Sequence, residues 1–143
     1  IWENDDGQLI REDNYIHGVK DGLQVRWHAN GNKHQEIPYR NGKLHGTWTD
    51  WYENGSKEEV DSYDDGHMKG QHSEWYESGQ KKGERHWKGQ DLDGPVTWWY
   101  ESGQKRQQIN YKDGKEHGLF IWWNEDGTEV HRKTYKDGEL VDD

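Results

Sequence analysis

The stretch Gly46-Thr47-Trp48-Thr49-Asp50-Trp51-Tyr52-Glu53-Asn54-Gly55, continued by Ser56-Lys57-Glu58-Glu59-Val60-Asp61-Ser62-Tyr63-Asp64-Asp65-Gly66, decides the fold. Two short segments are punctuated by Asn54-Gly55 and Asp65-Gly66. Such pairs suit type I′ hairpin turns, which need positive φ at both central residues. A helix does not fit, because no apolar stripe of 3.6-residue period survives between such closely spaced glycines.

The pattern recurs along the whole chain. Glycines stand at 7, 31, 55, 79, 103 and 127, and again at 22, 46, 70, 94 and 118. A third series runs 18, 42, 66, 114 and 138, with Gly89 one place early in the fourth copy. Trp27, Trp51, Trp75, Trp99 and Trp123 keep the same 24-residue step, as do Tyr15, Tyr39, Tyr63, Trp87, Tyr111 and Tyr135. Recurrence at this period marks a repeat architecture. The expected fold is all-β: an elongated, single-layer, twisted antiparallel meander of about six 24-residue β-hairpin repeats. The units fall at about 1–21, 22–45, 46–69, 70–93, 94–117 and 118–143, in one domain.

Register follows from the turn. A two-residue loop at Asn54-Gly55 sets residues whose numbers total 109 against each other, so Tyr63 faces Gly46. The same rule sets Tyr39 against Gly22, Trp87 against Gly70, Tyr111 against Gly94 and Tyr135 against Gly118. A ring lying over a cross-strand glycine is a stabilising device in sheets. The rule also places His34, Lys82 and Arg106 opposite Trp27, Trp75 and Trp99, where Lys82 and Arg106 are expected to stack on the indoles. Side chains alternate across a sheet. Trp48, Tyr52, Tyr63, Tyr76, Trp98, Tyr100, Tyr111 and Trp122 therefore share one face, and the Trp27 to Trp123 series lines the other.

Composition agrees with a thin structure. Only 27% of residues are hydrophobic, yet ten are Trp and eight Tyr. Each such ring can bury on the order of 150–250 Å², so aromatics replace an aliphatic interior. There is no cysteine, hence neither disulfide nor thiolate metal site. No apolar run approaches the roughly 20 residues of a membrane-spanning helix. The net charge of −10 disfavours nucleic acid and anionic lipid and favours a basic partner. The chain opens on Ile1 rather than Met, so its compartment stays open between cytoplasm and export after leader removal.

The unit Gly46 to Gly55 closed by Tyr63-Asp64-Asp65-Gly66 resembles the variant MORN repeat of bacterial proteins. Trp75-Tyr76-Glu77-Ser78-Gly79-Gln80-Lys81 and Tyr111-Lys112-Asp113-Gly114-Lys115-Glu116-His117-Gly118 are similar to the same consensus. The resemblance spans nearly the whole chain and extends to proteins called YwqK-like antitoxins, which implies neutralisation of a toxin by direct binding. Eukaryotic relatives imply membrane and scaffold roles. The first unit departs from the pattern, with Gln24, Arg26 and His28 where later copies place Trp48 or Tyr52. Such irregularity suits a terminal repeat.

Catalytic chemistry is not expected. His45 and His117 share a turn position with Asp21, Lys69 and Asp93, and a position that tolerates such changes is a turn residue. His28, His34, His72, His86 and His131 are scattered over different repeat positions, whereas a zinc site needs three or four converging ligands. The acid pairs Glu58–Glu59, Asp64–Asp65 and Asp142–Asp143 read as edge charges that discourage unwanted strand pairing. No serine elbow, phosphate loop or EF-hand spacing is present. No cofactor and no metal is expected.

The expected function is that of a non-enzymatic protein-interaction module, an antitoxin-like inhibitor or a scaffold. Trp27, Trp51, Trp75, Trp99 and Trp123 are the candidate partner-binding residues, since exposed indoles are favoured interface anchors. Acidic rims would steer a basic protein partner toward them. The alternatives are glycan binding by the tryptophan row, peripheral membrane binding, which the negative charge opposes, and self-association through open sheet edges.

Overall fold

A computed structural model describes residues 1–142. The chain forms two compact units, residues 1–68 and 69–143, and each is described by itself. No helix occurs among the described residues. In the first unit the sheet order is Trp2–Glu3, Leu9–Glu12, Gly22–Trp27, Lys33–Arg40, Gly46–Trp51 and Lys57–Asp64, every pair antiparallel. A separate small hairpin joins Tyr15–Ile16 to Val19–Lys20. In the second unit the order is Gly70–Trp75, Lys81–Lys88, Gly94–Trp99, Lys105–Lys112, Lys115–Trp123, Glu129–Lys136 and Glu139–Asp142. Asp143, and with it the Asp142–Asp143 acid pair, lies outside the described residues.

The two turn series differ in kind. Asn41-Gly42, Asp65-Gly66, Asp113-Gly114 and Asp137-Gly138 hold positive φ at both residues, as type I′ requires. At the other series only the glycine does: Gly55 has φ +87°, while Asn54 does not turn left-handed. There the Gly55 N–H donates to the Tyr52 carbonyl, and the Tyr52 N–H donates to that of Ser56, both at 2.9 Å. This is a three-residue loop closed by a left-handed glycine and a bulge, not the expected two-residue turn. The cause is local. The Asn54 side-chain oxygen accepts the Ser56 N–H at 2.8 Å, and Asn30 and Asp126 do the same for Asn32 and Thr128. That bond holds the asparagine in a right-handed turn.

The bulge moves the tryptophan partners by one residue. Trp27 pairs with Lys33, Trp75 with Lys81 and Trp99 with Lys105, not with His34, Lys82 and Arg106. Lys82 and Arg106 instead lie over the Tyr76 and Tyr100 rings, at 5.9 and 5.8 Å. The displaced glycine of the fourth copy follows from its turn type. Its loop pairs Lys88 with Asp91, and only Gly89 takes positive φ, the type II′ arrangement that places glycine first.

Beyond the bulge the pairings are Gly22 with Tyr39, Gly46 with Tyr63, Gly70 with Trp87, Gly94 with Tyr111 and Gly118 with Tyr135. No atom of the facing ring comes within 4 Å of a Cβ built on any of these glycines. Their φ values lie between +73° and +113°. Glycine is required because the chain bends there between the arm of one turn and the next long strand.

Few aliphatic side chains are buried. Val25 and Ile37 fill the first unit and Val96 the second, accompanied by Gln24, Thr49 and Asp61, and by His72, Ser73 and Thr97. The remaining burial comes from aromatics, every one of them half-buried apart from the exposed Trp2 and Tyr15.

Candidate functional site

Within each unit, Trp51, Trp99 and Trp123 form joints between successive hairpins. Trp27, Trp51, Trp75, Trp99 and Trp123 are all half-buried. Lys33 lies over the Trp51 ring at 5.9 Å, Lys81 over Trp99 at 5.8 Å and Lys105 over Trp123 at 6.0 Å. Each lysine thus reaches from one hairpin onto the indole of the next. Lys33 and Lys81 are also ion-paired to Glu36 and Glu84, and Lys105 donates to Gln108. The carbonyls of the same tryptophans accept side-chain bonds. Tyr76 Oη donates to Trp99 O at 2.8 Å, and Tyr100 Oη to Trp123 O at 3.0 Å. In the irregular repeat 22–45 His28 stands at this position, and its Nε2 lies 2.7 Å from Trp51 O. The histidine replaces the tyrosine hydroxyl as donor.

The type I′ edge is stitched in parallel fashion. The N–H of Gly42, Gly66, Gly114 and Gly138 donates to Lys20, Leu44, Leu92 and Glu116 carbonyls at 2.8 to 2.9 Å. Asp21 accepts the Asn41 N–H at 2.8 Å, and His117 Nδ1 sits 3.3 Å from the Asp137 carboxylate. His45, Asp64 and Asp65 gather donor atoms within 4.8 Å. Those groups already have partners, His45 with Asp64 at 3.1 Å and Asp65 with Arg40 at 3.3 Å. Three donors of this kind fall short of a closed tetrahedral centre.

The opposite face carries the variation between repeats. In the first unit a single cross-strand row reads Arg11, Arg26, Gln35, Asp50 and Glu59. In the second it reads Glu74, Gly83, Trp98, Gln107, Trp122 and His131. The residue equivalent by the 24-residue step is thus Arg26, Asp50, Glu74, Trp98 and Trp122 in turn, while the scaffold around it repeats. Arg26 donates to Gln35 at 2.9 Å, and the Trp48 indole N–H to Asp50 at 3.0 Å. Trp122 stacks on Phe120 at 3.8 Å and lies 5.1 Å from His131. Spacing alone did not single out this row, since its chemistry changes at every step. That change was itself the available signal.

Charge is uneven. Residues 1–68 hold fourteen acidic and seven basic side chains, and residues 69–143 hold fifteen and twelve. The hairpin from Gly46 to Asp64 concentrates the acids, and Tyr63 records it. Burial, then the carboxylates of Asp61, Glu59 and Asp50, raises its phenol above the ordinary tyrosine value. The folded state therefore holds this proton more tightly than the unfolded chain. The associated stability is complete below the unfolded value near 10 and is lost as pH rises through the folded one. Tyr63→Phe is expected to move the onset of alkaline unfolding, followed by far-UV circular dichroism, to higher pH. An unchanged onset would mean that the phenol does not titrate with folding.

A family model described as MORN repeat variant matches residues 20–41, 44–65, 68–88 and 92–113, more than half of the chain. No match was found among curated proteins. MORN repeats are protein-interaction or membrane-associated modules and are generally non-enzymatic. With a matching family model, hairpins of the required period and turns at each glycine series, this chain belongs to the MORN repeat variant family.

Proposed function

We propose that the chain is a binding module that holds a basic protein partner and acts by occupancy, without chemistry of its own. The observation that carries this reading is the varied cross-strand row set in an otherwise repeating scaffold. Repeat proteins commonly read partners from such surfaces, since the scaffold stays rigid while its surface residues change. Asp50 and Glu59 put acid at one end of the first unit's row, with Arg11 and Arg26 at the other, and this acidic end belongs to the hairpin that also carries Asp64. Opposite charge across an interface accelerates encounter and fixes register. The indoles of Trp51, Trp99 and Trp123 are already covered by lysines of the preceding hairpins, so the row on the other face is the better reader. An antitoxin-like inhibitor, covering the working surface of a basic toxin, is the finer form of this proposal.

Affinity purification of the intact chain from its native lysate, beside the double variant Asp50→Lys/Glu59→Lys, tests it. One protein of basic pI is expected with the parent chain, reduced at least tenfold with the variant. Recovery of no protein, or equal recovery by both, would overturn the reading.

A further inference from the structure

Of the eighteen glycines, all but Gly83 hold a positive φ that itself calls for glycine. Gly83 is explained by what lies on it. A Cβ at this residue would meet Cζ3, Cε3 and Cη2 of Trp98 at 2.6, 2.7 and 3.2 Å. The six-membered ring of the indole rests on the backbone of the neighbouring strand, and Gly83 is buried beneath it. Corresponding positions hold Gln35, Glu59, Gln107 and His131, so this seat occurs once. Trp98 itself remains partly exposed. Among the described residues no ring or cation stacks on it.

The groups beside this platform are polar but electrically balanced. Glu74, on the far side of Gly83, lies 2.9 Å from His72 Nε2, 3.8 Å from Lys82 Nζ and 3.9 Å from Arg85. Its charge is compensated locally. Gln107 stands between Trp98 and Trp122 in the row, half-buried, and its amide makes no hydrogen bond among the described residues. Trp122 is held in place by Phe120. The two indoles start two strands apart, roughly 9–10 Å at ordinary strand spacing. The strands Lys81–Lys88, Gly94–Trp99 and Lys105–Lys112 are paired on both sides, so an extended peptide finds no edge here to join.

A flat apolar ring, an unused amide and a neutral surround suit a ligand with an apolar face and hydroxyls around its rim. We propose that Trp98, Gln107 and Trp122 form a binding strip for a neutral oligosaccharide. One sugar ring lies on the exposed face of Trp98, the Gln107 amide takes its hydroxyls, and the chain runs on toward Trp122. This goes beyond the protein-partner reading and does not depend on it.

The test is titration of the intact chain with cellohexaose, xylohexaose and chitohexaose, and with polygalacturonate as an anionic comparison, read by tryptophan fluorescence and calorimetry. Saturable binding of at least one neutral hexaose is expected, weakened at least tenfold by Trp98→Ala. Gly83→Ala keeps the indole but lifts it from its seat, and is expected to weaken binding similarly. Gln107→Ala leaves the packing intact and is expected to weaken it severalfold, while Lys43→Gln, exposed in the other unit, leaves it unchanged. Circular dichroism accompanies each variant, and Gln107→Ala decides the matter if either Trp98→Ala or Gly83→Ala fails to fold. No saturable binding, binding indifferent to Gly83→Ala and Gln107→Ala, or binding of polygalacturonate alone would overturn the proposal. Loss of a co-purifying protein with Trp98→Ala, without any sugar binding, would make the strip a protein anchor. The sugar reading would then fall and the partner reading would stand.

Discussion

Trp99→Ala is expected to destabilise the chain by about 3 kcal/mol, at the lower end of the range for removing a large ring from a packed site. The lower end applies because the indole is half-buried rather than enclosed. The loss combines packing with the Lys81 ammonium 5.8 Å above the ring, itself worth about 0.5–1 kcal/mol. In a chain of this size the melting midpoint should fall by about 6–12 °C. Tyr76→Phe separates the ring from the bond made to its backbone. It removes only the hydroxyl that donates to Trp99 O and should cost about 1 kcal/mol. Thermal denaturation followed by circular dichroism measures both. If Trp99→Ala melts within a degree of the parent, indoles are not what joins the hairpins.

Gly66→Val should be nearly as damaging, at about 2–3 kcal/mol, because its φ of +89° is closed to a branched side chain. The turn cannot relax freely, since the Gly66 N–H donates to the Leu44 carbonyl in the preceding hairpin. The residues before the glycines should separate the two turn kinds. Asp65→Gly relieves a left-handed φ of +46° and is expected to be neutral or slightly stabilising. Asn54→Gly breaks the bond to the Ser56 N–H without relieving any strain, and should cost about 0.5–1 kcal/mol. Urea midpoints of the three variants give the comparison. Equal responses at Asp65 and Asn54 would mean that both loops share one geometry.

Local rules carried the sequence a long way for a physical reason. A hairpin closes within one 24-residue unit, so turn residues and strand alternation suffice to pair Gly46 with Tyr63 or Gly94 with Tyr111. The same rules failed by one residue at the tryptophans. Asn-Gly fits either a two-residue or a three-residue loop, and the choice rests on whether the asparagine side chain captures the N–H two residues on. Gln24, Arg26 and His28 looked irregular in the repeat 22–45. Yet His28 performs the bond that tyrosines make elsewhere, because the site asks for a donor and not for a particular ring.

The sequence by itself determined the all-β hairpin repeat, its period and the family, since each follows from glycine-marked turns acting over a few residues. Only the tertiary structure decided which hairpin's lysine covers which indole, and why Gly83 has no side chain. Those contacts join strands of neighbouring repeats, where the relative offset depends on a bulge and on turn-to-carbonyl bonds that no short-range pattern encodes.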